Sequence, residues 1–137
     1  MSGNIRNHYQ STAVTTSRPR HLIVMLHQGG VKYLNLAERH LADGEWEATS
    51  NCLIRTQNIV CEIALAFGED EGDELVQGVR GVYGYMHRRL IEANTRKDSE
   101  ALAEVRQMLR EMSDAWAEAG QGMEDRDRDR GPFDASG

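Results

Sequence analysis

Proline is absent from the chain between Pro19 and Pro132. A proline inside a helix removes a backbone hydrogen bond and clashes with the preceding turn. More than a hundred residues without one therefore leave long helices open. The apolar residues in this stretch recur at steps of three and four, the period of a helix with one buried face. No segment shows the alternation of a half-buried strand, and there is no internal repeat.

The spacing predicts four helices. The first covers about 19–43, with Leu22, Met25, Leu26, Gly29, Tyr33, Leu36, Ala37 and Leu41 as its stripe. Pro19 suits its first turn, and Asp43-Gly44 is a stop signal. The second covers about 45–67, with Trp46, Leu53, Val60, Ile63, Ala64 and Phe67 inward and Gly68 placed for a left-handed cap. The third covers about 70–94, through Leu75, Val79, Val82, Met86, Leu90 and Ala93, with Val76 and Tyr83 beside them. Acids crowd its start at 69–74, where the helix dipole favours them. Asp98 is placed to cap a fourth helix over about 99–120, with Leu102, Val105, Leu109, Met112 and Trp116 inward. Short connections favour antiparallel neighbours. The fold class expected is all-α, an antiparallel up-down four-helix bundle over residues 18–120. Residues 1–17 are expected as a mobile N-terminal segment. Residues 121–137, where charge alternates along EDRDRDR, are expected as a disordered charged tail.

A chain of 137 residues fits one domain. A net charge of −6 argues against nucleic acid as a partner. No apolar run reaches the ~18 residues of a membrane span, so no membrane insertion is expected, nor is the N-terminus a secretory signal. Cys52 and Cys61 point to opposite faces of one helix and read as reduced core residues, not as a disulfide. The location expected is cytoplasmic.

Catalytic and metal chemistry lack their usual residues. None of His8, His21, His27, His40 or His87 has a Glu three positions before it, as an inward-facing di-iron site in a bundle requires. No Cys or His group has zinc spacing, and the acids at 69–74 lack the ligand pattern of a calcium loop. Gly78, Gly81 and Gly84 precede no Lys-Ser or Lys-Thr, so they form no phosphate loop. No nucleophile sits in a recognisable triad setting. The expectation is a binding protein with no catalytic residues, cofactor or metal.

Several stretches carry a resemblance. Tyr9-Gln10 precedes VTTSRPRHLIVMLHQGGVKYL at 14–34, which leads into the first helix. The third helix contains VYGYMHRRLIEAN at 82–94, followed by Asp98, and Trp116 lies near the end of the fourth. Together these resemble the flagellar secretion chaperone family over about residues 9–119, the third-helix block most specifically. The chain departs from the family pattern at Arg18, Arg20 and His21 around the proline, at His27-Gln28-Gly29-Gly30, and at Gly84. The resemblance implies a cytosolic export chaperone. Such a protein binds the disordered C-terminal segment of flagellin, blocks premature polymerisation, and presents the cargo to the export gate of the flagellar type III apparatus. Some members also bind flagellar regulatory proteins, so a helical regulatory module holding a flagellar or transcriptional regulator is the alternative.

The expected partner-binding residues are Tyr9, Ile23, Leu26, Gly29, Gly30, Leu34, Gly78, Gly81, Tyr85 and Arg88. Ile23, Leu34 and Leu41 form a second stripe on the first helix, either a groove or a thicker core. Gly78, Gly81, Tyr85, Arg88 and Arg89 share a face of the third helix away from its core stripe. Each interior glycine costs about 1 kcal/mol relative to alanine, which invites a reason. One is close approach of a neighbouring helix. The other is a backbone-level shelf for a guest segment, with Tyr85 as anchor and an arginine as clamp. Gly29 and Gly30 admit the same two readings. Tyr9 is either a surface tyrosine or part of a lid that yields to cargo. His27 and His87 read as surface or boundary residues.

Overall fold

Gly44 turns the chain at the end of the first helix, α1 (Arg20–Ala42). Its φ of 73° lies in the left-handed region that glycine enters without a steric penalty. The Gly44 N–H donates to the Leu41 carbonyl at 3.1 Å and the Glu45 N–H to the His40 carbonyl at 2.9 Å. That pair of bonds closes a Schellman end, and only residues 43–45 separate it from α2 (Trp46–Ala66). The third helix, α3 (Glu74–Arg96), ends in the same manner with a non-glycine residue, Lys97, at φ 52°. The Asp98 N–H reaches the Ala93 carbonyl at 3.0 Å. The strain of that position is offset by the Lys97 ammonium, which donates to Asn94 Oδ1 at 2.6 Å and Ser50 Oγ at 2.9 Å. Asp98 then caps α4 (Ser99–Ser136), its Oδ1 accepting from the Glu100 N–H at 2.9 Å and the Ala101 N–H at 3.4 Å.

The structure is a computed structural model and describes residues 19–67 and 74–136, with the side chains of Leu75 and of 119–136 left outside the description. The sequence expectations for Tyr9, for the segment 1–17, for Gly68 and for the acids at 69–73 fall outside the described residues. Among the described residues there is no strand. Each helix packs against the one before and the one after, and α4 closes the ring on α1. Side-chain bonds fix the antiparallel order. Ser50 at the start of α2 meets Asn94 at the end of α3 at 2.6 Å. Arg106 early in α4 donates to Glu38 late in α1 at 2.9 Å and to Asn35 at 3.2 Å. The arginine hydrogen bond holds the Glu38 carboxyl below its usual range. The architecture is the antiparallel four-helix bundle expected from the spacing.

The core runs along the bundle axis. It takes Ile23, Leu34 and Ala37 from α1, and Leu53, Val60 and Ile63 from α2. From α3 come Val76, Val79, Tyr83, Met86 and Leu90, and from α4 Leu102, Val105, Leu109, Met112 and Trp116. Burying each large side chain contributes about 1.5–3 kcal/mol, far above any exposed ion pair. Phe67 closes one end, its ring 5.9 Å from Tyr83 and 5.7 Å from Trp116. Two buried threonines of α2 satisfy their hydroxyls one turn back, Thr49 on the Glu45 carbonyl at 2.8 Å and Thr56 on the Cys52 carbonyl at 3.0 Å.

Several expectations need correction. The centre of the α1 stripe is Ile23, His27, Gly30, Leu34 and Ala37, and all five are buried. Ile23 and Leu34 are therefore core, not a second stripe, and His27 is a core residue rather than a surface one. Met25 and Trp46, read as inward, are exposed. Cys61 is exposed and Cys52 half-buried, and both are free. The helical backbone of α4 continues past Gly120 to Ser136.

Candidate partner-binding groove

Between α2 and α3 lies an open groove of about 820 Å³. Val60, Cys61 and Ala64 supply the α2 wall. From α3 come Gln77, Arg80, Gly81, Tyr83, Gly84, His87 and Arg88. The depth follows from the residue types. Two helices in contact normally fill the outer crevice between them with side chains. Here Gly81 and Gly84 bring none, and Ala64 opposite brings a single methyl.

The glycines are not there to admit another helix. A Cβ added at Gly78 or Gly81 would meet nothing within 4 Å among the described residues. One added at Gly84 would meet only Arg88 Nη1, at 3.6 Å. Gly30 differs, since its Cβ would stand 3.0 Å from Leu109 Cδ1. That glycine lets α1 approach α4 closely, the packing reading of the pair at 29 and 30. Gly29 is half-buried, with Ile59 Cδ1 at 3.8 Å from its added Cβ.

Apolar surface continues the groove beyond its lining. Ile54, Cys61 and Leu65 follow one another at steps of seven and four along the outward side of α2, and all are exposed. Ile91, two turns after Gly84 on α3, is exposed as well. Large apolar side chains left in water beside a crevice mark surfaces that other chains cover.

The groove sits over a polar pair in the core, His27 and Tyr83. Nδ1 of His27 donates to the Ile23 carbonyl at 2.7 Å, since a carbonyl can only accept. Nε2 is then an acceptor, and the Tyr83 hydroxyl donates a hydrogen bond to it at 2.8 Å. Burial lowers the His27 pKa to about 4, the Ile23 carbonyl opposing in part. The ring is neutral and fixes the Tyr83 hydroxyl under the groove.

The expected site residues do not come together as one surface. Gly81 and Arg88 line the groove. Gly78 is exposed but outside the lining. Tyr85 turns to the other flank of α3, its hydroxyl donating to the Glu104 carboxylate of α4 at 2.9 Å. Arg89 joins it there, Nε at 2.7 Å from Glu104 Oε1. The hydrogen bond to Glu104 is the main cause that raises the Tyr85 pKa. Tyr85 is thus a tie between α3 and α4 rather than an anchor in the groove. Ile23, Gly30 and Leu34 are buried and offer no surface; Leu26 packs half-buried against the core. Of the other lining residues, the sequence reading took Val60, Cys61, Ala64 and Tyr83 as core and assigned Gln77, Arg80, Gly84 and His87 to no partner surface. Cys61 had a signal in its seven-and-four spacing with Ile54 and Leu65.

Among the described residues no group of three or more His, Cys, Asp or Glu is placed to hold a metal ion. Nor is any described helix long and apolar enough to cross a membrane.

Comparison with known proteins places the chain in a family. The family model described as flagellar protein FliS matches residues 1–123. The flagellar secretion chaperone FliS of Bacillus subtilis (strain 168) is 37% identical over 111 residues, covering 81% of this chain and 82% of that protein. The flagellar secretion chaperone FliS of Escherichia coli (strain K12) is 32% identical over 109 residues, 79% of this chain and 80% of that protein. The chaperone of the same name from Salmonella typhimurium is 32% identical over 106 residues, 77% and 78% of the two chains. With the family model covering most of its length, the chain belongs to the flagellar protein FliS family.

Proposed function

We propose that this chain is a cytoplasmic export chaperone. In this reading it holds the disordered C-terminal segment of flagellin in the α2–α3 groove, prevents premature polymerisation, and hands the segment to the flagellar type III export gate. Family membership supports the coarser part, a flagellar secretion chaperone. The observation that supports the finer part is the open crevice itself. A Cβ at Gly81 would meet no described atom within 4 Å, only the Arg88 side chain stands over Gly84, and the margins keep Ile54, Leu65 and Ile91 in water. Its α3 wall runs from Gln77 to Arg88, about 17 Å along the helix axis. An amphipathic segment that folds as it binds could lay several apolar side chains there at helical spacing.

The work needed of such a site is binding alone. A disordered guest gives up conformational entropy on docking, so a long apolar contact must offset that cost while leaving release possible. Calorimetry of the full chain with the C-terminal segment of the flagellin from the same organism tests the reading. Binding at one to one, with a negative heat-capacity change and a gain of helical circular dichroism, is expected. No heat at tens of micromolar, or heat from a flagellar regulator in its place, would contradict it.

A further inference from the structure

Adjacent arginines of α3 have different surroundings. Arg89 donates to Glu104 and to Glu92, the latter at 2.5 Å. Elsewhere Arg106 is paired with Glu38, and Arg55 donates to the Tyr33 hydroxyl at 3.0 Å with its guanidinium over the ring. Arg88 is exposed and has no hydrogen bond or ion pair among the described residues. The want of a carboxylate is not a matter of supply. Glu92 stands four residues on, a spacing that suits an ion pair on a helix, yet it pairs with Arg89. The chain as a whole has 22 acids against 16 lysines and arginines.

The position of Arg88 gives that open charge a direction. It lines the groove with Arg80 and His87 around it, and Nη1 lies 3.6 Å from where a Cβ of Gly84 would stand. A planar cation therefore sits above a floor of bare backbone, facing an α2 wall of Cys61 and Ala64. Guanidinium binds carboxylate through two parallel N–H bonds, and a partly dry crevice strengthens them.

We infer that the groove takes a guest segment bearing a carboxylate, which Arg88 binds while the apolar face of the guest lies on Cys61, Ala64 and the glycine floor. This rests on the flagellin-segment reading above and adds the charge of the guest to it. The carboxylate has two sources of one chemistry: an Asp or Glu side chain of the segment, or the terminal carboxylate of the flagellin chain.

Fluorescence anisotropy with the full-length chain separates the outcomes. The probe is a labelled peptide of the flagellin C-terminal segment, made with a free C-terminus, with an amidated C-terminus, and with its acids changed one at a time to the amides. Arg88→Gln is expected to raise Kd about tenfold for the unmodified peptide, the size of a lost charge-assisted hydrogen bond. The melting temperature is expected to hold, because no partner within the chain is lost. One modified peptide is expected to lose the same factor against the wild-type chain and to bind Arg88→Gln no more weakly than the unmodified peptide does. If that is the amidated peptide, the terminal carboxylate is the ligand; if an acid-to-amide peptide, that side chain is. Equal Kd for wild type and Arg88→Gln, or losses that add without coupling, overturn the inference and leave the flagellin reading standing. No binding by the wild-type chain overturns both.

Discussion

Nε2 of His27 accepts the Tyr83 hydroxyl at 2.8 Å and so joins α1 to α3 through the middle of the bundle. The pair has a definite protonation state, because Nδ1 is committed to the Ile23 carbonyl and Nε2 must stay bare to accept.

That commitment makes stability depend on pH. The folded-state pKa of about 4 lies below the value of 6.5 for a free imidazole. Between the two the unfolded chain binds the proton and the folded one does not, so stability is full above about pH 6.5 and falls as pH drops toward 4. The single group is expected to remove about 3 kcal/mol across that window. Urea denaturation at pH 7 and at pH 4.5 measures it. His27→Phe is expected to lose less stability over the same interval than wild type, carboxylates being common to both. An identical pH slope in the two proteins would remove His27 as the cause.

The same residue explains why part of the fold was legible in the sequence and part was not. In α4 every inward position is apolar, and the stripe Leu102, Val105, Leu109, Met112 and Trp116 is the buried face. In α1 the buried face contains His27 and Gly30, neither of which registers as apolar. A count of apolar residues therefore centres the stripe off its true axis and takes in Met25, which is exposed. The groove was half legible. Helical spacing puts Gly81 and Arg88 on an outward face, but it cannot say which neighbour stands at each flank. The carboxylate of Glu104 draws Tyr85 and Arg89 to one side, and α2 builds the groove on the other. Val60 and Ala64 carry no mark of their own, since a small apolar residue in a helix reads as core.

Glycines of the two kinds are expected to respond oppositely to alanine. Gly78→Ala gains helix propensity and meets nothing, so it should stabilise by about 1 kcal/mol, a rise of a few degrees in melting temperature. Gly30→Ala gains the same propensity but sets a Cβ 3.0 Å from the Cδ1 of the fully buried Leu109. Its net effect is expected to be a loss of about 1–3 kcal/mol from overpacking. Thermal melting of both variants checks this; a destabilised Gly78→Ala would mean that its face is not open.

Cys61 reports on the groove without altering its glycines. Its thiol is exposed in the α2 wall, whereas Cys52 is half-buried and burial raises its pKa. In a Cys52→Ser background, maleimide labelling of Cys61 is expected to slow at least several-fold when the flagellin segment is bound at saturation. Labelling at the same rate with the guest bound would place the guest elsewhere.

The most direct measurement is Gly81→Leu, followed by thermal melting and flagellin-segment binding on the same preparation. A Cβ at Gly81 meets no described atom within 4 Å and the site opens into the groove, so the bundle should keep or slightly raise its melting temperature. The same group fills the crevice opposite Ala64, so affinity for the segment should fall by a factor of ten or more, on the order of the ~1–3 kcal/mol of an overpacked contact. Lost binding with a retained melting temperature is the result expected of a groove that receives the guest. Unchanged binding with a retained melting temperature, or a collapsed melting temperature, would contradict it.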